Sequence, residues 1–372
     1  MGSHSFIQHK VGYYVLLIAP LIFVCAGLFF GRYEVSFLDV MYSLALFFTS
    51  SLVQGFNALL GFVGLSDPFE ATSFYTSIMA TVEHPSYVSQ QTYAVVTDVR
   101  LPRVCAAALI GAALSASGAA YQGVFRNPLV NPGLLGVSNG AGFGAALAIV
   151  LAGGGFLLYP FAFIFGVVAV CLSYWIARVY KQTPTIMLIL GGTIVSSVFS
   201  ALLSLMKYVA DPETQLPSIV YWLMGSLASV GWEHLLAFIP IFIGIAMLLR
   251  STWHIDVLSM GDKEARSLGV DVARTKVFVV CGATLATAGA VCIAGVVGWV
   301  GLVIPHIGRM LIGSDNRRLI PASMALGAAF MIVVDTVARC MWAAEVPLGI
   351  LTALIGAPFF VYLLKRTKGG TW

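Results

Sequence analysis

Apolar segments separated by short polar stretches recur along almost the whole chain. We interpret ten of them as membrane crossings, since a crossing helix needs about 20 residues at 1.5 Å rise per residue. Their predicted bounds are 11–31, 103–124, 133–152, 157–179, 185–207, 233–250, 275–297, 299–312, 319–341 and 348–365. The eighth is short and contains Pro305, and a further short helix is predicted at 217–229. The pattern predicts an all-α polytopic membrane protein, with residues 1–372 in a single transmembrane domain.

One segment departs from this pattern because it is strongly polar. Residues 260–276 (MGDKEARSLGVDVARTK) carry seven charged side chains in seventeen positions, whereas charged residues make up 10% of the chain. The pattern predicts a short helix, a turn at Gly269 and a second helix start, with Asp262 and Asp271 as N-caps. A polar helix pair between membrane helices is typical of contact with a soluble partner; the alternative is a solvated loop with no partner.

The basic residues predict the orientation in the membrane. With the N-terminus inside, fifteen of the 20 Lys and Arg residues lie at the inner side and five at the outer side. This asymmetry follows the positive-inside rule, so both termini and the loop 256–276 are predicted to be cytoplasmic. The charge-free run 40–66 would reverse the asymmetry if it crossed. Residues 40–99 are therefore predicted to be an external, partly helical insert that lies on the membrane surface.

An internal repeat links the two halves of the chain. The sequence GAALSASGA at 111–119 and the sequence GATLATAGA at 282–290 share the pattern GAxLxxxGA. The predicted topology runs the first copy inward and the second outward, and an inverted repeat is a feature of transporters. Convergent helix packing through small residues is the alternative explanation of the match.

Composition narrows the possible chemistry. Hydrophobic residues make up 59% of the chain, and its 38 glycines suit helices that pack closely in lipid. The six cysteines lie in or beside apolar runs without a CxxC or Cys/His cluster, so no disulfide or metal site is predicted. No GxxxxGKS or GxxxxGKT sequence is present, so we expect no cofactor in this chain. If transport is ATP-driven, another subunit must hold the nucleotide.

A short motif allows a hydrolytic site as an alternative. Residues 136–140 (GVSNG) match GxSxG, and Ser138 could act with His306 and Asp335 as an intramembrane hydrolase. That motif requires a strand before it, which the apolar pattern does not predict. A hydrogen-bonding role at a helix end is the alternative for His306. For Asp335, a carboxylate within a crossing, the alternative is a local pair with Arg339.

Several motifs then follow one another along residues 100–366. They are RLPR at 100–103, NPL at 127–129, PGLLGVSNGA at 132–141, GDKEARSLG at 261–269, VGLVIPHIGR at 300–309, EVPLG at 345–349 and GAPF at 356–359. In this order they resemble the permease subunits of type II ABC importers for ferric siderophores, haem and cobalamin. The resemblance implies ten transmembrane helices per subunit, a second permease subunit, two cytoplasmic ATPases that bind ATP and Mg²⁺, a periplasmic binding protein and an inner-membrane location.

The resemblance also implies roles for individual residues. Residues 260–276 would be the element that couples the permease to the ATPase, through Gly261, Glu264, Ala265, Arg266, Leu268 and Gly269. The predicted contacts to the binding protein are Arg100, Arg103 and Arg339. The predicted pathway and gate residues are Thr183, Thr185, Ser196 and Ser197. The residues of the structural motifs are Asn127, Pro128, Pro132, Pro305, His306, Arg309 and Asp335.

The substrate cannot be read from these motifs. An iron chelate is favoured because it is the commonest substrate class of the family, and cobalamin or an oxyanion is the alternative. The rival mechanism is an ion-coupled secondary transporter, which normally carries acidic residues within the membrane; only Asp335 is a candidate here.

Overall fold

The computed structural model describes residues 3–62, 88–178, 184–342 and 344–366, and every regular element within these ranges is helical. We number the fourteen helices in chain order. They are α1 Ser3–Phe29, α2 Phe37–Phe62, α3 Gln90–Phe125, α4 Val137–Ala152, α5 Leu158–Ala177, α6 Thr185–Val209, α7 Gln215–Met224, α8 Leu235–Arg250, α9 Thr252–Met260, α10 Asp262–Ser267, α11 Val272–Ala294, α12 Val300–Ile312, α13 Asn316–Met341 and α14 Leu348–Arg366.

Each of the ten predicted crossings coincides with a helix. Seven of these helices are long and apolar enough to span a bilayer, whereas α4, α12 and α14 are shorter apolar helices. The 13 residues of α12 extend only about 20 Å, less than the roughly 30 Å of a hydrocarbon core. The helix predicted at 217–229 forms as α7, but it ends at Met224 because Gly225 adopts a positive φ of 79°.

Helix α3 is longer than a membrane crossing requires. Its 36 residues extend about 54 Å and include a π-helical segment, Val95–Arg100, near its N-terminal end. Helix α2 packs against this end, where Val40 is buried and Phe47 stacks on Trp232 with ring centroids 5.4 Å apart. The described parts of the insert 40–99 are thus largely helical, while residues 63–87 lie outside the described residues. Helix α2 is itself long and apolar enough to span a bilayer, whereas the charge pattern predicts no crossing here, so the position of the insert on the membrane surface stays a prediction.

The centre of the bundle is formed by α3, α11 and α13. Between 61% and 78% of the residues in their apolar stretches are buried, against 11–28% in α1, α2, α5, α6 and α8. Helices α3 and α11 carry the two copies of the repeat, and they pack against each other. The Ser117 hydroxyl of α3 donates a hydrogen bond to the Ala283 carbonyl of α11, 3.3 Å away.

The helices that follow the two repeat copies also correspond. Helix α4 is preceded by a single 3₁₀ turn, Pro132–Leu135, and by Gly136 with φ of 87°. Helix α12 is preceded by non-helical backbone in which Gly295 and Trp299 have φ of 70° and 67°. In both halves a short helix therefore begins after a break. Broken helices at the interface of two repeats are the usual location of a transport pathway.

The repeat glycine Gly118 allows α3 and α12 to touch. A Cβ at Gly118 would overlap the backbone carbonyl of Gly301, which cannot move away without shifting α12. Gly118→Val should therefore lower the free energy of unfolding by about 1–3 kcal/mol or prevent assembly of the bundle. Gly55→Ala is the control, since a Cβ at this exposed position of α2 meets no atom within 4 Å. Thermal unfolding of the two purified variants tests this, and equal stability would contradict the packing argument.

Candidate functional site

The polar segment 260–276 forms the helical pair that its pattern predicts. Helix α10 is followed by Gly269 with φ of 79°, and Asp271 caps α11 by accepting a hydrogen bond from the Arg274 amide at 3.1 Å. The prediction for Asp262 was wrong: Gly261, with φ of 137°, occupies the cap position, and Asp262 is the first residue of α10. The Asp262 carboxylate instead binds an ammonium group from α11, described below.

Four of the six predicted coupling residues are exposed, and the other two are buried. Glu264, Arg266, Leu268 and Gly269 are exposed, and Leu268 is an apolar side chain with 56% of its surface open. Ala265 is fully buried in the cluster beneath, and Gly261 is also buried. These two residues hold α10 against the bundle, so only the first four offer a surface to a partner. We call the side of the bundle that carries residues 260–276 the polar-loop face.

Lys276 joins this segment to the start of α6. Its side chain is 1% exposed, and its Nζ lies 2.7 Å from Asp262 Oδ2 and 3.5 Å from Thr185 Oγ1. Thr185, a predicted gate residue, is the first residue of α6, while Thr183 lies outside the described residues. One buried ammonium group therefore links the polar segment to the helix predicted to line the pathway.

Helix α6 presents a row of hydroxyl groups on an open face. Thr193, Ser197, Ser200 and Ser204 are exposed and follow one another at helical spacing. Of the two residues predicted here, Ser197 belongs to this row, whereas Ser196 is half-buried and its carbonyl accepts a hydrogen bond from Asn139 in α4. Helical periodicity read along 185–209 would have identified the other members.

A central cavity of about 440 Å³ lies between the two broken helices. The first half of the chain lines it with Asn131, Pro132 and Ser138, and the second half with Thr287 and Trp299. The Thr287 hydroxyl is buried without a hydrogen-bond partner among the described residues. No described residue that lines this cavity is charged, and most of the lining is apolar, so the cavity offers no charged group that would hold an ion tightly.

A buried ion network lies at the end of the bundle away from the polar-loop face. Arg103 donates to Asp335 Oδ1 at 2.8 Å and binds both carboxylate oxygens of Glu345 at 2.8 Å. Burial works to raise the pKa of Glu345, but its hydrogen bonds and ion pair with Arg103 lower it below its ordinary value. The predicted Asp335–Arg339 pair is present at 3.5 Å, without a hydrogen bond, and the stronger partner of Asp335 is Arg103.

The three arginines predicted to contact a binding protein are all interior. Arg100, Arg103 and Arg339 are 3%, 5% and 7% exposed. At these three positions the described surface therefore lacks the exposed positive charges that docking was expected to use. Arg100 donates to the carbonyls of Leu28 and Phe29 at the end of α1 and of Tyr33 just beyond it, and Arg339 donates to the carbonyl of Gly27. These bonds fasten α1 to the core. A docking role for the three residues stays a prediction.

The remaining motif residues are spread over different sites. Asn127, Pro128, His306 and Arg309 line a second cavity at the polar-loop face, and Pro305 is buried within α12. Ser138 lies in the central cavity and Asp335 in the ion network, so Ser138, His306 and Asp335 do not meet. A 3₁₀ turn, not a strand, precedes GVSNG. The geometry therefore excludes the hydrolase alternative.

Comparisons with known proteins cover nearly the whole chain. The sequence profile described as the FecCD transport family matches residues 17–366. The molybdate import permease MolB of Haemophilus influenzae is 45% identical over 74% of this chain and 82% of its own length. The cobalamin import permease BtuC of Halobacterium salinarum is 42% identical over 75% of each chain.

One solved structure is similar to this protein over a larger share of the chain than these two relatives are. It is described as an inward-facing conformation of a transporter assigned to the metal-chelate type of ABC transporter, and it covers 95% of this chain and 98% of its own. The two structures superpose with a TM-score of 0.77 at 37% sequence identity. At this coverage the similarity extends through both halves of the bundle.

Proposed function

Since the chain belongs to the FecCD transport family, we propose that it is the permease of an ATP-driven importer that carries an iron chelate, such as a siderophore or haem, into the cytoplasm. The observation that carries this proposal is the similarity over 95% of the chain to a transporter of the metal-chelate type. The substrate would arrive from a periplasmic binding protein. The permease would lie in the inner membrane of a bacterium with both termini in the cytoplasm.

The proposed assembly contains two copies of this chain and two ATPase subunits. The hydroxyl row of α6 is open to the outside of a single subunit, and a second copy would supply the opposite wall of the pathway. Each copy carries one polar segment, which matches one ATPase per permease. ATP and Mg²⁺ would be bound by the ATPases, and no cofactor is proposed for this chain.

The lining of the central cavity is compatible with transport of a bulky solute. Its wall is uncharged and mostly apolar, and its few hydroxyl and amide groups can hydrogen-bond a solute without trapping it electrostatically. An oxyanion is the second candidate substrate, because the molybdate permease is 45% identical to this chain. Cobalamin is a third candidate substrate, because the cobalamin permease BtuC is 42% identical to this chain.

The buried network argues against an ion-coupled secondary transporter. Such a mechanism needs an acidic group within the membrane that can bind and release a cation. Asp335 is 1% exposed and is already paired with Arg103 and Arg339. Two permanent cationic partners hold this carboxylate, so it is a poor carrier for a coupling ion.

Uptake into proteoliposomes tests the proposal. The chain is reconstituted with the ATPase and binding protein encoded beside it, and labelled ferric siderophore, haem, cobalamin and molybdate are supplied in turn. We expect uptake of an iron chelate that requires ATP inside the vesicles, and no ATP hydrolysis by the chain alone. Uptake of molybdate alone would select the second candidate. Hydrolysis by the isolated chain, or uptake driven by an ion gradient without ATP, would contradict the mechanism.

A further inference from the structure

The second cavity, at the polar-loop face, has a composition that neither the pathway nor the buried network explains. It has a volume of about 470 Å³ and lies between the end of α3, helices α9 and α12, and the start of α13. Its polar lining includes Arg126, Asn127, Ser259, His306, Arg309 and Asn316. Among the described residues that line it, none is acidic. Two guanidinium groups therefore share a cavity that supplies no negative charge of its own.

Arg309 is the deeper of the two cationic groups. No ion pair of Arg309 is present in the described part of the chain, and its Nη2 atom is buried without a hydrogen-bond partner. Leaving a buried charged donor unpaired is unfavourable, and native proteins seldom do so without a ligand or functional reason. Arg103 provides the contrast within the same bundle, since its guanidinium is held by two carboxylates.

Arg126 stands at the mouth of the cavity. It follows the last residue of α3 with φ of 52°, and Trp299 is the only other non-glycine residue with positive φ in the described ranges. This left-handed conformation is one that commonly ends an α-helix, and Arg126 lines the cavity from the point where α3 ends. The side chain is exposed and forms no ion pair within the described residues, although its guanidinium and the Glu264 carboxylate both lie beside Gly261 in the polar segment.

Neutral polar side chains also line the cavity. Asn127 accepts a hydrogen bond from the Leu129 amide through Oδ1, which leaves its Nδ2 group as a donor. Asn316 is held in place by Asp256, which accepts its backbone and side-chain N–H groups at 2.8 and 2.7 Å. Asp256 is thus occupied by Asn316 and does not line the cavity. The Ser259 hydroxyl lies on the α9 side of the rim, where it donates a hydrogen bond to the Asp256 carbonyl at 2.6 Å.

We propose that this cavity binds a tetrahedral oxyanion group of the phosphate class. Guanidinium groups bind phosphate oxygens through paired charge-assisted hydrogen bonds, and the Asn127 side-chain amide adds a neutral donor. The group is either a free inorganic anion from the aqueous phase or the phosphate of an anionic lipid at the membrane surface. A small anionic group fits better than a protein side chain, because Arg309 is partly buried and lies deeper in the cavity than the exposed Arg126.

Occupation of the cavity would join elements from both halves of the chain. Arg126 belongs to the end of α3, Arg309 to α12 and Ser259 to α9, which leads directly into α10. A bound anion would therefore restrain the base of the polar segment. This binding does not depend on the substrate of the permease, so it can be tested without knowledge of that substrate.

The test measures anion binding by the full chain in detergent. After delipidation, phosphate, sulfate and molybdate are titrated at constant ionic strength and followed by calorimetry; native mass spectrometry of the protein before delipidation detects bound anionic phospholipid. We expect saturable binding in at least one arm. Arg309→Gln and Arg126→Gln should each weaken it about tenfold through loss of a charge-assisted contact. Arg317→Gln is the matched control, since Arg317 is exposed on the same face and does not line the cavity.

Each arm leads to a distinct result. Binding of the inorganic anions alone identifies a site for a free anion, and retention of anionic lipid alone identifies a headgroup site; both results support the proposal. Arg126→Gln keeps the test valid if Arg309→Gln does not fold, because Arg126 is exposed. Absence of saturable binding in both arms overturns the proposal, and so does wild-type affinity in the two cavity variants. Cross-linking of the cavity to an acidic side chain of the ATPase, without binding of either anion, also overturns it.

Discussion

Arg103→Met should destabilise the protein more than any other single substitution considered, by about 3–5 kcal/mol in the free energy of unfolding. The variant removes the guanidinium that binds Asp335 and Glu345, and it leaves the Asp335 carboxylate 1% exposed with only the more distant Arg339 as a partner. A buried charge without a close partner is costly because the interior solvates it poorly. Denaturant-induced unfolding in detergent, followed by tryptophan fluorescence, measures the loss.

Two further variants give this experiment its controls. Arg274→Met removes an ion pair whose arginine is 90% exposed, and its effect should stay within about 1 kcal/mol because water screens exposed pairs. The double variant Arg103→Met/Asp335→Asn should recover part of the lost stability, since it also removes the buried negative charge. Equal losses in Arg103→Met and Arg274→Met would show that the buried network is not a major source of stability.

The network also changes how docking should be tested. Reversing Arg103 to Glu would place a third carboxylate beside Asp335 and Glu345, so weaker association with a binding protein could result from unfolding alone. Substitution of Arg100 could also unfold the protein, because its guanidinium binds three backbone carbonyls at and just beyond the end of α1. A valid docking measurement must therefore be paired with a measurement of the variant's stability.

Substitutions on the exposed side of the polar segment should reduce transport at least about tenfold while the permease remains folded. Arg266→Glu reverses an exposed charge, and Leu268→Asp replaces an apolar side chain that is 56% exposed. Neither position contributes to the core beneath, which is filled by Ala265 and Val270. A tenfold change requires a loss of only about 1.4 kcal/mol at a partner surface. Substrate uptake in proteoliposomes and co-purification of the ATPase are measured together.

Gly269→Val tests the shape of the same segment. A Cβ at Gly269 meets no atom within 4 Å, so the effect must come from the backbone. A β-branched residue is strained at φ of 79°, at a cost of about 1–2 kcal/mol, and the turn before α11 should shift. Arg317→Glu, on the same face but outside the segment, should transport normally. Wild-type uptake and normal ATPase assembly in all three segment variants would show that residues 260–276 do not couple the subunits.

The apolar and charge patterns of the sequence determine a large part of this protein. Ten apolar helices, the polar segment, the turn at Gly269 and the cap at Asp271 follow from composition and spacing within short windows, because insertion into lipid and helix capping depend on local residues. The break before α12 is similarly visible from the glycines at 295–301. Helix α9 and the π-helical segment of α3 carry no comparable local signal and were not predicted.

Only the tertiary structure determines which charged groups meet. Arg103 and Asp335 are 232 residues apart, and spacing along the chain instead favours the local Asp335–Arg339 pair, which forms at a longer distance. Lys276 appears in the sequence as one more charge of a solvated segment, yet it is buried because α11 turns it toward Asp262 and the start of α6. Such pairs depend on how distant helices pack, and packing depends on side-chain shape throughout the bundle rather than on periodicity within any one helix.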